Sequence, residues 1–138
     1  DGELYKEVVD RLDRKIQGAT RDLPAPVIET VEGATCSLVT TGSCHEAVRE
    51  ARHKLEAMGH KVDYMRIRSF PFHSQVEEFL AAHDNNYVVE QNRDGQLRKM
   101  LIMETDIPKK KLTSVLNYSG FSLSASHVME QVVPEMAN

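Results

Sequence analysis

The chain lacks any apolar run of membrane-spanning length, and it does not open with a basic, apolar and small-residue signal-peptide pattern. It has two cysteines, Cys36 and Cys44, and no CxxC pair, which excludes iron–sulfur and zinc spacings and points to a reducing, cytoplasmic compartment. It has no surplus of positive charge. Lys and Arg number 17 against 21 Asp and Glu, a net charge of −4, which argues against general nucleic-acid binding. The sole basic run, Lys109-Lys110-Lys111, reads as a solvated loop. There is no GxGxxG, no GK[ST] and no nucleophile elbow. The six histidines are scattered: His45, His53 and His60 stand eight and seven apart rather than at the i, i+4 spacing of a helical metal pair, so surface or capping roles are expected. Neither an internal repeat nor a low-complexity stretch is visible. The chain opens Asp-Gly rather than with Met, which reads as a piece of a longer polypeptide.

What remains suits one compact domain: 138 residues, 41% of them apolar. Leu4, Val8, Leu12 and Ile16 recur every four residues among charges and predict an amphipathic helix ending near Gly18. With its lead-in it occupies 1–23. Pro24 and Pro26 stop any helix, so 24–33 reads as a linker with at most a short edge strand around Val27 and Ile28. The α/β domain follows over 34–138. Strands are expected over Cys36–Thr41, Lys61–Arg68, Tyr87–Val89 and Leu112–Leu116. Between them lie helices faced by Ala47, Val48, Ala51, Leu55 and Met58, by Val76, Phe79 and Leu80, and by Leu97, Met100 and Leu101 with Met103 nearby. A last helix from Ser124 carries Val128, Met129, Val132 and Val133. Ser43 with Glu46, and Ser74 with Glu77, have capping-box spacing. Cys36 is expected to be a buried thiol and Cys44 the more exposed one. Strict alternation of strand and helix implies a mostly parallel sheet covered on both faces.

Ligands in open α/β sheets gather outside the carboxyl ends of the strands. Two segments fall there, Thr41-Gly42-Ser43 and Glu90-Gln91-Asn92, each before a helix N-terminus that favours an anion. One reading is a small anion or cofactor site; the other is caps and turns, with Ser43 capping one helix, Asn92 or Asp94 another, and Gly95 relieving crowding. Caps are routine in such folds and favour the second. Glu90, an acid ending an apolar strand, has the form of a proton carrier, but no companion base stands at fixed spacing. No catalytic residue and no metal ligand is assigned. The candidate interface or crevice consists of Gly42, Ser43, Glu90, Gln91, Asn92, Gly95 and Gln96.

Gly42-Ser43, Gly59-His60-Lys61-Val62, Phe70-Pro71-Phe72, Glu90-Gln91-Asn92 and Gly95-Gln96-Leu97 together resemble the C-terminal domain of the α subunit of 2-oxoacid:ferredoxin oxidoreductases, most of all the 2-oxoglutarate type. The resemblance covers nearly the whole chain. It departs at His73, where a second proline is common, and at Asn117-Tyr118-Ser119-Gly120-Phe121-Ser122, where the family often shows Lys-Tyr-Asp-Gly-Arg-Pro. It implies a transketolase C-terminal-like domain, a three-layer α/β/α sandwich whose mostly parallel five-stranded sheet has one antiparallel edge strand. The whole enzyme would decarboxylate a 2-oxoacid oxidatively with coenzyme A and reduce ferredoxin, using thiamine diphosphate, Mg²⁺ and iron–sulfur clusters. This chain has neither the Gly-Asp-Gly…Asn thiamine motif nor cluster cysteines, so no cofactor is expected on it. Its expected partners are other domains and subunits of that enzyme, with ferredoxin reached through the whole complex, and neither nucleic acid nor membrane. The implied role is assembly and shaping of the approach to the active site, without activity in isolation. Two alternatives stand: the C-terminal domain of a transketolase or 2-oxoacid dehydrogenase relative, against which Gln-Asn and Gly-Gln-Leu argue, and a stand-alone anion- or nucleotide-binding module. In the implied sheet order the strand ending at Thr41 is central, with the strand from Lys61 on one side and the strand ending near Glu90 on the other. That order places Gly42-Ser43 within roughly 10 Å of Glu90-Gln91-Asn92, from the strand spacing plus side-chain reach.

Overall fold

The structure, a computed structural model, describes residues 1–136; Ala137 and Asn138, the last two of the expected 34–138 domain, lie outside the described residues. A first helix, α1 (Gly2–Gly18), leads to a short strand β1 (Val27–Glu29). Then come β2 (Cys36–Thr41), α2 (His45–Ala57), β3 (Val62–Ile67), α3 (Ser74–Ala81), β4 (Asn85–Glu90), α4 (Gln96–Glu104), β5 (Leu112–Leu116) and α5 (Ala125–Met136). The strands form one sheet in the order β1-β3-β2-β4-β5, parallel except for the pairing of β1 with β3. β2 is central, and its neighbours are reached by connections leaving in opposite directions.

The inner strands are buried on both faces, which is why they read as near-continuous apolar runs. Side chains alternate across the sheet. Leu38, Tyr64, Tyr87, Val89 and Val115 pack under α2 and α5 with Val48, Leu55, Val128 and Val132. Val39, Met65, Val88 and Leu112 face α3 and α4 with Val76, Leu80, Leu97 and Leu101. These two clusters make the three-layer sandwich.

Buried polar groups tie the layers together. Ser37 Oγ on β2 donates to Asn86 Oδ1 at 2.6 Å, and Asn86 Nδ2 reaches the Leu80 and Lys111 carbonyls. Arg52 donates from Nε to the Val62 carbonyl at 2.7 Å and from Nη1 to Glu29 at 2.7 Å, and it also pairs with Glu56. One guanidinium thus pins the antiparallel edge strand to α2. His83, 3% exposed, donates from Nδ1 to the Phe79 carbonyl and faces Asp63 at 3.0 Å through Nε2, while the other Asp63 oxygen accepts the Val31 N–H. This histidine is buried and paired, against the expected surface or capping role; His73 does cap α3 by accepting the Gln75 N–H.

Several local expectations give way to packing. Neither capping box forms: no side chain caps α2, and Glu77 instead accepts the Asp106 N–H, joining α3 to the turn after α4. The thiols exchange places. Cys44 points under α2 and is buried, whereas Cys36 opens β2 at the rim and is half-buried. Met58 and Met103, expected on buried faces, are 55% and 77% exposed because both stand at the ends of their helices. α1 has no buried residue at all.

Candidate functional site

The carboxyl ends of β3, β2 and β4 surround a cleft of about 410 Å³. Thr41 closes the end of β2, and its hydroxyl donates to the Ile67 carbonyl of β3 at 2.9 Å. One wall is Ile67-Arg68-Ser69-Phe70, with Phe72 beyond a cis Phe70–Pro71 bond. Arg68 Nε and Ser69 Oγ donate to the Ala25 and Pro24 carbonyls, which fastens the proline-containing segment along this rim. Phe70 is half exposed and meets Phe72 edge-to-face at 5.2 Å. Glu90, Asn92, Gln96, Leu97 and Met100 form the opposite wall.

Glu90 is only 4% exposed. Its carboxylate accepts the Leu97 N–H at 2.5 Å, the Arg98 N–H at 3.1 Å and the Asn92 amide at 3.0 Å. Asn92 Oδ1 accepts the Asp94 and Gln96 N–H groups. An acid at the end of one strand therefore caps the next helix across a five-residue turn, where a bound anion would otherwise sit. The first N–H groups of α4 are consumed by Glu90 and Asn92 and are not open to a ligand; the cap comes from these two, and not from Asp94. Gly95 allows the arrangement. Its φ of +60° is left-handed, and a Cβ there would lie 3.2 Å from Ser114 Oγ. Gln96 begins α4 as an exposed residue, and Gln91 is exposed as well.

Gly42 and Ser43 form an exposed turn at the end of β2, Gly42 at φ +62°, on the same edge of the sheet as Glu90-Gln91-Asn92 and on the adjacent strand. His45 Nδ1 meets the Gly42 carbonyl at 3.1 Å. Asn92 bonds within its own turn rather than to Gly42-Ser43. Of the seven candidate residues, Glu90, Asn92 and Gln96 line the cleft, while Gly42, Ser43, Gln91 and Gly95 stand around it. Sequence reasoning about strand ends missed Arg68, Ser69, Phe70, Phe72 and Met100; the signal for two of them was the Phe70-Pro71-Phe72 step. Among the described residues no group of three or more His, Cys, Asp or Glu gathers as a metal would require. No helix among them is long and apolar enough to cross a membrane.

No protein-family model matches the chain, and no curated protein matches it. Among solved structures, 2-oxoglutarate:ferredoxin oxidoreductase from Magnetococcus marinus aligns with 95% of this chain at a TM-score of 0.82 and 28% identity. The fold is that of a 2-oxoacid:ferredoxin oxidoreductase segment. The chain spans 23% of that neighbour's length, and the neighbour was solved with 2-oxoglutarate, coenzyme A and succinyl-CoA bound. The alpha chain of a probable 2-oxoacid ferredoxin oxidoreductase from Thermoplasma acidophilum shares the fold over 83% of this chain and 98% of its own, at a TM-score of 0.56 and 21% identity. The transketolase C-terminal-like architecture implied by the sequence motifs is the one observed: five strands, one of them antiparallel, between two helical layers.

Proposed function

We propose that this chain is a non-catalytic assembly and active-site-shaping domain of a cytoplasmic 2-oxoacid:ferredoxin oxidoreductase α subunit. The whole enzyme would convert a 2-oxoacid to an acyl-CoA and pass the electrons to ferredoxin. The observation that carries this reading is the agreement over 95% of the chain with a segment that makes up 23% of an enzyme of that class. The absence from the sequence of a thiamine-binding motif and of cluster cysteines supports placing thiamine diphosphate, Mg²⁺ and the iron–sulfur clusters on other parts of the complex.

Two surfaces suit assembly. α1 presents Leu4, Val8, Leu12 and Ile16, each between 38% and 61% exposed, as a stripe with no cover from the α/β core. The carboxyl edge presents Phe70, Tyr118 and Phe121, the last 81% exposed on a turn held by Asn117. Exposed aromatics on an ordered frame are what a protein interface uses as anchors. The cleft beside Phe70 lies where this reading places the approach to the active site.

Affinity capture from the native cell tests the reading. The expected partners are subunits or domains carrying the thiamine motif and cluster cysteines. Recovery of no such partner, together with tight nucleotide binding by the chain alone, would replace the reading with a stand-alone binding module.

A further inference from the structure

Buried side-chain donors in folded chains are paired, and each exception marks strain, a water or a bound ion. Among the described residues three buried side-chain polar atoms lack a hydrogen-bond partner: Arg49 Nε, Tyr64 Oη and Arg66 Nε. All three can donate. They belong to one place. Tyr64 and Arg66 stand two apart on β3 and so share the face that packs under α2. Glu29 of β1 is opposite Tyr64, and Arg49 of α2 reaches that same Glu29, its Nε 3.2 Å from Oε1 but not aligned for a hydrogen bond. The Arg66 and Arg49 charges both act on the Tyr64 phenol. The carboxylates nearby are already engaged. Glu29 accepts from Arg52 at 2.7 Å, Arg52 also holds Glu56 at 3.1 Å, and Glu46 pairs with His45 at 2.9 Å. Among the described residues no carboxylate stands within ion-pair distance of Arg66.

We propose that Arg49, Arg66 and the Tyr64 hydroxyl form a binding site for a small oxyanion of the class of inorganic phosphate. A hydroxyl-type oxygen such as that of a single water accepts two hydrogen bonds, fewer than the donors gathered here, whereas an oxyanion carries several acceptor oxygens. Charge points the same way. The guanidinium groups of Arg49, Arg52 and Arg66 share only the carboxylates of Glu29 and Glu56, which leaves Arg66 without a counter-charge. Guanidinium groups suit oxyanions because their N–H groups form a planar fork. Access is from the solvent side. The Arg49 side chain is 43% exposed and Arg66 is partly exposed, so these two long side chains form the entrance, and Tyr64, 1% exposed, forms the floor.

The test titrates potassium phosphate into the full chain at neutral pH and constant ionic strength, with potassium chloride as the balance, and follows the arginine Nε–H signals by NMR. The Arg49 and Arg66 signals should shift together along one saturable curve, while that of Arg93, an exposed arginine paired with Asp94, stays in place. Tyr64→Phe keeps the ring and removes only the hydroxyl; it should weaken binding about tenfold, the worth of one hydrogen bond to a charged partner. Arg66→Gln should abolish the curve at Arg49, and if that variant does not fold, the other two measurements decide. Shifts that are equal in chloride and phosphate would leave the three donors to buried water and overturn the proposal. An Arg93 shift as large as that of Arg66, an unchanged affinity in Tyr64→Phe, or an unchanged Arg49 curve in folded Arg66→Gln would overturn it as well.

Discussion

Burying a carboxylate is costly unless backbone N–H groups and amides surround it, and Glu90 has two of the first and one of the second. Its carboxylate joins β4 to α4. Replacing Glu90 with Gln keeps the shape and removes the charge. Unfolding in urea is expected to show a loss of about 1.5–3 kcal/mol, the usual range for hydrogen bonds to a charged group. Tyr64 is the opposite case. Its hydroxyl is buried without a hydrogen-bond partner among the described residues. Burial is the main cause that pushes its pKa up to about 12, and the Arg66 charge works against the rise. An unfolded phenol ionises near 10. Between these values the unfolded state binds fewer protons, so stability falls as pH rises through that window and is whole below it. Tyr64→Phe is expected to be neutral or slightly stabilising at neutral pH and to flatten the alkaline loss, as measured by thermal melts across that range.

At the scale of elements, α1 and the Asp63–His83 contact make contrasting predictions. α1 buries nothing against the core, so removing residues 1–18 should leave a cooperative melt; loss of that cooperativity would make the helix part of the core. Asp63 and His83 are both buried, and they hold α3, β3 and the Val31 turn together. His83→Ala leaves one buried Asp63 oxygen without its hydrogen-bond partner and should cost about 1–3 kcal/mol, as read by chemical denaturation. The strands and helices were legible in the sequence because β-branched runs and helical spacing repeat over several residues. The strand ending at Thr41 is central, flanked as the family resemblance implied. Contacts between elements were not legible. Nothing near Glu77 in sequence shows that Asp106 will be its partner, and nothing near His83 points to Asp63. The Ser43–Glu46 and Ser74–Glu77 spacings were misleading because capping-box spacing is satisfied by many sequences, while tertiary partners decide where a carboxylate goes. At the candidate site, Glu90, Asn92 and Gln96 stood out as polar residues at a strand end. Arg68, Ser69 and Phe70 did not, because the cleft wall is made by an irregular segment with no period.

For the whole molecule, the sheet order and two core layers match the segment of 2-oxoglutarate:ferredoxin oxidoreductase at a TM-score of 0.82, which accounts for the fold without assigning chemistry to this chain. In the proposed role, chemistry requires the thiamine and cluster domains, and the exposed α1 stripe and aromatic carboxyl edge are surfaces that those domains or subunits cover. The most direct test of that claim is 2-oxoacid-dependent dye reduction by the purified chain supplied with thiamine diphosphate, Mg²⁺ and coenzyme A. The account predicts no turnover above the protein-free background, whereas turnover at the rate of a complete enzyme would contradict it.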